Sequence, residues 1–284
     1  MLRAYDDSFQ KYNIEDGYFQ TKKKLTPAQK EDIEKSDVKV YENFYIEQKL
    51  TNGSTIRFFK NRKEVDKVCL MNGKMPKKSG EIAVDRMYAD NNELKVGDTV
   101  KSRKKTFRIT GLVALSDYSA LFQNNNDTMF DAVKFGVAIV TDKDFEALNQ
   151  VKVQYNYAWI YDKKPATEKK EKKMAEDLME DMADVVTIES FVPQDQNQSI
   201  HFTGDDMGSD RAMIVMLLYI VMAILAFVFG ITISNTIRKE AGVIGTLRAS
   251  GYTRRELILH YMALPVVILS LIHISEPTRL RCIS

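Results

Sequence analysis

Over residues 1–205 apolar positions come in short runs broken by turn residues, whereas after Ala212 they come almost without a break. The two patterns predict two kinds of structure. In the first, Thr26-Pro27 ahead of AQKEDIEKS places an N-cap residue before a proline at the first helical position and predicts a short helix. Val38–Leu50 and Ser54–Lys60 are rich in β-branched and aromatic residues, and Asn52-Gly53 between them predicts a hairpin. Glu81–Val84, Thr99–Ser102 and Thr106–Leu115 read as further strands, the second preceded by a turn at Gly97-Asp98. Phe135–Val140 reads as a strand ending at Thr141-Asp142, which caps a helix through Leu148; Val153–Tyr161 reads as another strand. Thr167 caps a helix from Glu168 to Met182, in which Met174, Leu178 and Met182 form an apolar stripe at four-residue spacing. Val185–Val192 is a returning strand, and the polar PQDQNQS segment, Pro193–Ser199, reads as a linker.

The second pattern is a membrane pattern. Met213–Ile231 (MIVMLLYIVMAILAFVFGI) holds no charged residue, and twelve of its nineteen positions are Leu, Ile, Val or Phe. At about −0.3 to −0.6 kcal/mol each, these contribute roughly −4 to −7 kcal/mol toward insertion. A soluble core helix rarely stays apolar on every face for so long, because some face must meet water. The flanks set the orientation. Asp205, Asp206 and Asp210 stand before the span against Arg211 alone, while Arg238, Lys239, Arg248, Arg254 and Arg255 follow it. The carboxyl side is therefore expected in the cytoplasm and residues 1–211 outside. The first thirty residues contain no apolar stretch able to export such a domain, so either that orientation is wrong or an earlier membrane helix stood ahead of Met1, and the second is the expectation. A second apolar run starts at Leu257, but LSLIHISEPTR, from Leu269 to Arg279, resembles the translated read-through of a transposase-type sequencing adapter. On that reading Leu269–Ser284 is not native, His273 and Cys282 carry no function, and the second span is cut after Ile268.

Composition narrows the functional classes. The chain has 284 residues, mean hydropathy −0.30 and a net charge of +2; residues from Ala212 onward sum to +4, leaving −2 for residues 1–211. A near-neutral region of that size is neither disordered nor a nucleic-acid binder by charge. Lys169–Lys173 (KKEKK) is then a solvated helix face. Two cysteines exclude a disulfide framework, and Cys69 reads as a small buried hydrophobe. No phosphate-binding loop, H-E-x-x-H or G-x-S-x-G motif occurs, so no catalytic residue, cofactor or metal is expected in this chain. His201 with Asp205, Asp206 and Asp210 matches no metal-site spacing and reads as a polar connector; His260 reads as an interfacial residue.

The signal for function lies in RKEAGVIGTLRASGYTRREL, Arg238 to Leu257. Val243, Ile244 and Leu247 share one face of a short helix, Ser250-Gly251 ends it, and Thr253-x-x-Glu256 forms a capping box that restarts a helix into the bilayer. Gly242 and Gly245 weaken that helix by about 1 kcal/mol each relative to alanine, and close backbone approach by a partner or by the helix bundle is the expected compensation. This stretch resembles the post-helix loop of the FtsX-like (MacB-type) ABC transporter permease family, whose pattern is roughly R-x-x-E-x-G-x-x-[KRG]-x-[LM]-[RK]-A-x-G. Arg238, Glu240, Gly242, Leu247, Arg248, Ala249 and Gly251 supply those positions, with Glu240 one residue short of the commonest spacing. YNIEDGYF (Tyr12–Phe19), GEIAVDRMYA (Gly80–Ala89), LKVGDT (Leu94–Thr99) and MFDAVKFGVAIV (Met129–Val140) are similar to the family's outer segment.

The resemblance implies a permease subunit in the plasma membrane of a bacterial cell, with ATP bound by a separate cytoplasmic ABC ATPase. Its further partners are the lipid bilayer and a second permease copy, with no nucleic acid. The implied coupling-loop residues are Glu240, Gly242, Val243, Ile244, Leu247, Arg248 and Gly251. The expected fold class is an extracytoplasmic α+β domain followed by transmembrane α-helices, one complete and one truncated. Its divisions are residues 1–205, the connector and span 206–237, the coupling loop 238–256, the next span 257–268 and the artefact 269–284. A membrane receptor with a ligand-binding outer domain is the rival reading. The return of the chain into an apolar span at Leu257 argues against it.

Overall fold

The computed structural model describes residues 2–102, 105–148 and 152–274; Cys282 lies outside them. The chain forms two compact units, Met1–Gly208 and Ser209–Ser284. The amino-terminal unit begins with α1 (Leu2–Tyr12), β1 (Gly17–Thr21), α2 (Pro27–Glu34), β2 (Val38–Glu42) and β3 (Tyr45–Lys49). There follow β4 (Thr55–Lys60), β5 (Val68–Gly73), β6 (Glu81–Asp85), α3 (Arg86–Asn91), β7 (Thr99–Lys101) and β8 (Thr106–Leu115). It continues with β9 (Phe135–Val140), α4 (Asp142–Leu148), β10 (Tyr155–Tyr161), α5 (Glu168–Val185) and β11 (Ile188–Pro193). Three helices complete the chain: α6 (Gln198–Lys239), which starts in the first unit, then α7 (Ala241–Ala249) and α8 (Arg254–Ile274).

Two sheets organise the amino-terminal unit. The smaller is antiparallel in the order β11-β1-β10-β2. One face buries Phe19, Val38, Val40, Tyr157 and Trp159 against Ile33 of α2 and Leu178 and Met182 of α5. The stripe expected on α5 is therefore its buried face. Gly17 lies opposite Trp159, where a Cβ would sit 2.2 Å from the indole ring, so no larger residue fits without moving it. The larger sheet runs β3-β4-β9-β6-β8-β5 with β7 on β8. Its centre is β9, parallel to β4 and antiparallel to β6, and the six residues FGVAIV are all buried, as a strand covered on both faces requires.

Local signals placed several elements correctly. Thr26 and Gln29 form a reciprocal capping box at the start of α2. Thr26→Ala is expected to cost about 1 kcal/mol in urea unfolding. The β3–β4 hairpin turns at Asn52-Gly53, where Gly53 takes φ 89°.

Three expectations need correction. Val38–Leu50 is not one strand but two, in different sheets, because the chain breaks at the buried Asn43. There Asn43 Nδ2 donates to Asp66 Oδ2 (3.3 Å) while its Oδ1 accepts from Arg62 Nη1 (3.2 Å). Pro193–Ser199 is not a free linker. Gln194 N donates to Asp16 O (2.9 Å), Asn197 is buried, and Asn125 holds Gln198 through both its amide and its carbonyl. Cys69 is only half-buried, because β5 is an edge strand whose Leu70 and Met71 are exposed.

Candidate functional site: an apolar helix and the loop that follows it

Among the described residues, α6 is the one helix long and apolar enough to cross a membrane, and none of its apolar window is buried. The helix starts earlier than the apolar pattern, at Gln198, because Ser199 and Ile200 pack into the amino-terminal unit and Tyr5 and Ser119 both donate to the Ile200 carbonyl (2.9 and 2.8 Å). Thr232 and Thr236, beyond the run Met213–Ile231, turn their hydroxyls back onto the carbonyls of Val228 and Thr232 (2.8 and 3.0 Å). Polar side chains that follow the apolar run are thus satisfied within the helix.

The loop after α6 has the three parts its sequence predicts. α7 covers Ala241–Ala249, with Glu240 at its N-cap position. Ser250 follows as the C-cap, and Gly251 takes φ 102°, the left-handed conformation that glycine adopts without a Cβ clash. Gly251 N donates to Arg248 O (3.2 Å) and Tyr252 N to Leu247 O (3.1 Å), which together make a Schellman stop. Thr253 then opens α8: its backbone N–H donates to Glu256 Oε2 (2.8 Å), and Glu256 N donates back to Thr253 Oγ1 (3.4 Å). The Thr253 donors hold the Glu256 carboxyl below its ordinary range.

The candidate residues fall into two groups. Val243 is exposed, Ile244 and Leu247 are partly so, and α7 buries no residue, so its apolar face is uncovered in this chain. Arg248 is exposed, as are Arg238, Lys239, Arg254 and Arg255. A Cβ at Gly242 or Gly245 would meet nothing within 4 Å, so no part of the described chain makes the close approach expected there. Glu240 is engaged within the loop: its Oε2 accepts from the Tyr261 hydroxyl of α8. That pairing joins the start of α7 to the following helix and has no signature in the local sequence.

Comparison with known proteins gives structural likeness only. No protein-family model and no curated protein matches the chain. The fold is similar to the periplasmic region of MacB from Actinobacillus actinomycetemcomitans, with a TM-score of 0.33 and 13% identity over 59% of this chain and 83% of that one. It is also similar to the extracellular domain of the noncanonic ABC-type transporter YknZ from Gram-positive bacteria, with a TM-score of 0.30 and 12% identity over 59% of this chain and 92% of that one. At these scores neither likeness decides what the chain does.

A second cluster of functional groups escaped the sequence reading. Arg62 donates to both carboxylate oxygens of Asp117 (2.7 Å each), and its Nη1 lies 4.0 Å from Asp66 Oδ2. Asp66 Oδ1 accepts from the Glu15 backbone (2.9 Å), and Asn197 Nδ2 donates to Glu15 Oε1 (3.3 Å). All of these side chains are buried. They join the segment before β1, the β4–β5 connection, the segment after β8 and the turn after β11, so the cluster is the seam between the two sheets. Three carboxyl groups face one guanidinium. Glu15 Oε2 has no hydrogen-bond partner among the described residues, and a proton on one of the crowded carboxyls would relieve the repulsion.

Burial, then the charges of Asp66 and Asp117, push Glu15 well above its ordinary value, and burial followed by Asp117 raises Asp66 to about 7. The folded state therefore holds protons that the unfolded chain releases above about pH 4. Stability falls as pH rises from there through about 7. Thermal unfolding of the chain should occur at a higher temperature at pH 5.5 than at pH 8, and Glu15→Gln should reduce that difference. An unfolding temperature that rises between those pH values would contradict the upward shift of the buried carboxyls.

Proposed function

We propose that the chain is the membrane subunit of an ABC-type transporter or mechanotransmitter, passing work from a separate cytoplasmic ATPase to the amino-terminal α+β unit across the bilayer. The observation that carries this reading is the succession of an apolar helix, a short helix with an uncovered apolar face, a glycine stop and a capped restart. A plain connection between two spans needs no such organisation. The loop's resemblance to FtsX-like permeases supports the same reading.

In this mechanism α7 is a coupling helix. Val243, Ile244 and Leu247 form the apolar contact with the ATPase, Arg248 adds a polar one, and Gly251 is the hinge. Gly242 lets the partner backbone approach closely. Glu240, through Tyr261, ties the moving helix to α8. ATP is bound and hydrolysed on the partner, and this chain makes and breaks no covalent bond. The positive loop faces the cytoplasm of a bacterial cell, residues 1–211 face outward, and a second permease copy completes the assembly.

The test is coexpression of the permease with its ATPase and affinity capture of the pair. Ile244→Asp with Leu247→Asp should abolish co-purification while leaving membrane integration intact. Capture of equal ATPase by the double variant would refute the docking assignment.

A further inference from the structure

Between the polar face of the small sheet and the edge of the large one lies a cleft of about 420 Å³, within the amino-terminal unit. Its volume falls in the range of small-molecule sites, roughly 300–1,000 Å³. The small sheet turns Phe19 and Trp159 into its core and presents Tyr18, Gln20 and Asn156 to the cleft instead. Asn43, Asn126, Gln196 and Asn197 complete an amide-rich wall, and the buried Tyr45 and Phe122 close its floor.

The charges on this wall are already committed. Arg57 gives Nε and Nη2 to Glu47 (2.9 and 2.5 Å), Nη1 to the Tyr118 hydroxyl (2.5 Å) and Nη2 to the Gln123 carbonyl (2.8 Å). Asp117 is held by Arg62 through two bonds, and the Glu15 carboxyl is turned into the seam. An anionic ligand would find no free cation there, a cationic ligand no free carboxylate, and a zwitterionic peptide neither. The free capacity is neutral. Among the described residues the side-chain amides of Asn126 and Gln196 and the hydroxyl of Tyr18 make no hydrogen bond in the chain. Gln20 Nε2 bridges Asn156 Oδ1 and the Tyr45 hydroxyl (3.2 Å each), which holds the facing groups in fixed positions.

We infer that this cleft binds a small, uncharged, hydroxyl-rich ligand of the saccharide class. The amides of Asn126 and Gln196 each present a donor and an acceptor side by side, the pattern that a pair of neighbouring hydroxyls, each both donor and acceptor, complements. The half-buried ring of Tyr18 meets the C–H face that a sugar ring leaves apolar. This inference does not depend on the ATPase reading, since a receptor or a permease would use the same cleft.

Binding can be measured on the full chain in nanodiscs of phosphatidylcholine and phosphatidylglycerol, prepared without a sugar-based detergent. The probes are maltose and N-acetylglucosamine, with trialanine, inorganic phosphate and spermidine as comparisons. Trp159, the sole tryptophan, stacks at 4.6 Å on Phe191 of the cleft wall, so its fluorescence should report occupancy alongside saturation-transfer NMR. A saturable response to a saccharide and none to the comparison probes is expected. Asn126→Ala, at an exposed position, should weaken it about three- to tenfold. Ser190→Phe, which fills the cleft from β11, should abolish it in a protein that unfolds at the parent temperature. Absence of a saccharide response, a response to phosphate, trialanine or spermidine in its place, or undiminished binding by Ser190→Phe would each overturn the inference.

Discussion

Replacing Arg62 by alanine should destabilise the amino-terminal unit by about 3–5 kcal/mol, the cost of leaving a buried ion pair with one partner. Arg62 and Asp117 side chains are 6% and 7% exposed, so water does not take over the lost bonds. Burial works against the charged guanidinium, yet Asp117 and then Asp66 hold it charged. Without it, Asp117 loses two 2.7 Å bonds and Asn43 loses the donor to its Oδ1, while the three carboxyl groups remain. Urea unfolding followed by Trp159 fluorescence measures the loss. The double variant Arg62→Met with Asp117→Leu should be less destabilised than Arg62→Ala, since it removes both charges and supplies apolar volume. A loss for Arg62→Ala below about 1 kcal/mol, the level of an exposed pair, would show that the seam is not held this way.

What the chain reveals about itself before folding depends on how local each determinant is. The start of α2, the all-apolar β9, the stripe of α5 and the stop at Gly251 each rest on residues within four or five positions of one another, and all are readable. The split between β2 and β3 is not. Val38–Leu50 has strand propensity throughout, and the break at Asn43 is imposed by Arg62 and Asp66, which the chain reaches some twenty residues later. β1 and β5 are short, and their strand state comes from their neighbours: β1 lies between β10 and β11, and β5 rests on β8 alone. α1 did carry a signal, with Tyr5, Phe9 and Tyr12 at helical spacing, but Asp6, Asp7 and Lys11 dilute it. The short helix, the glycine stop and the capped restart after α6 were legible as a local pattern, whereas the Glu240–Tyr261 bond was not, because it joins two helices. The seam and the cleft share that reason. Glu15, Arg62, Asp66, Asp117 and Asn197 acquire a common chemistry only when two sheets meet.

The membrane assignment of α6 leads to a threshold that can be crossed deliberately. The apolar residues of Met213–Ile231 supply roughly −4 to −7 kcal/mol toward insertion, and an arginine at the helix centre opposes it by about 2.5–3.5 kcal/mol. Leu225→Arg alone also forfeits one leucine, about 0.5 kcal/mol, and leaves the balance favourable. Adding Val221→Arg doubles the opposition to about 6–8 kcal/mol, enough to cancel the span. Both positions lie near the middle of the apolar run and one helical turn apart, so their side chains cannot both reach the same interface. With residues 206–240 placed in a translocated host protein, glycosylation sites on either side report insertion. The parent segment and Leu225→Arg should remain predominantly inserted, and the double variant should pass through. A double variant that inserts as well as the parent would mean that its retention does not come from burial of this apolar surface in lipid. A parent segment that passes through would mean that α6 is not a span, and that its uncovered apolar faces require a protein partner instead.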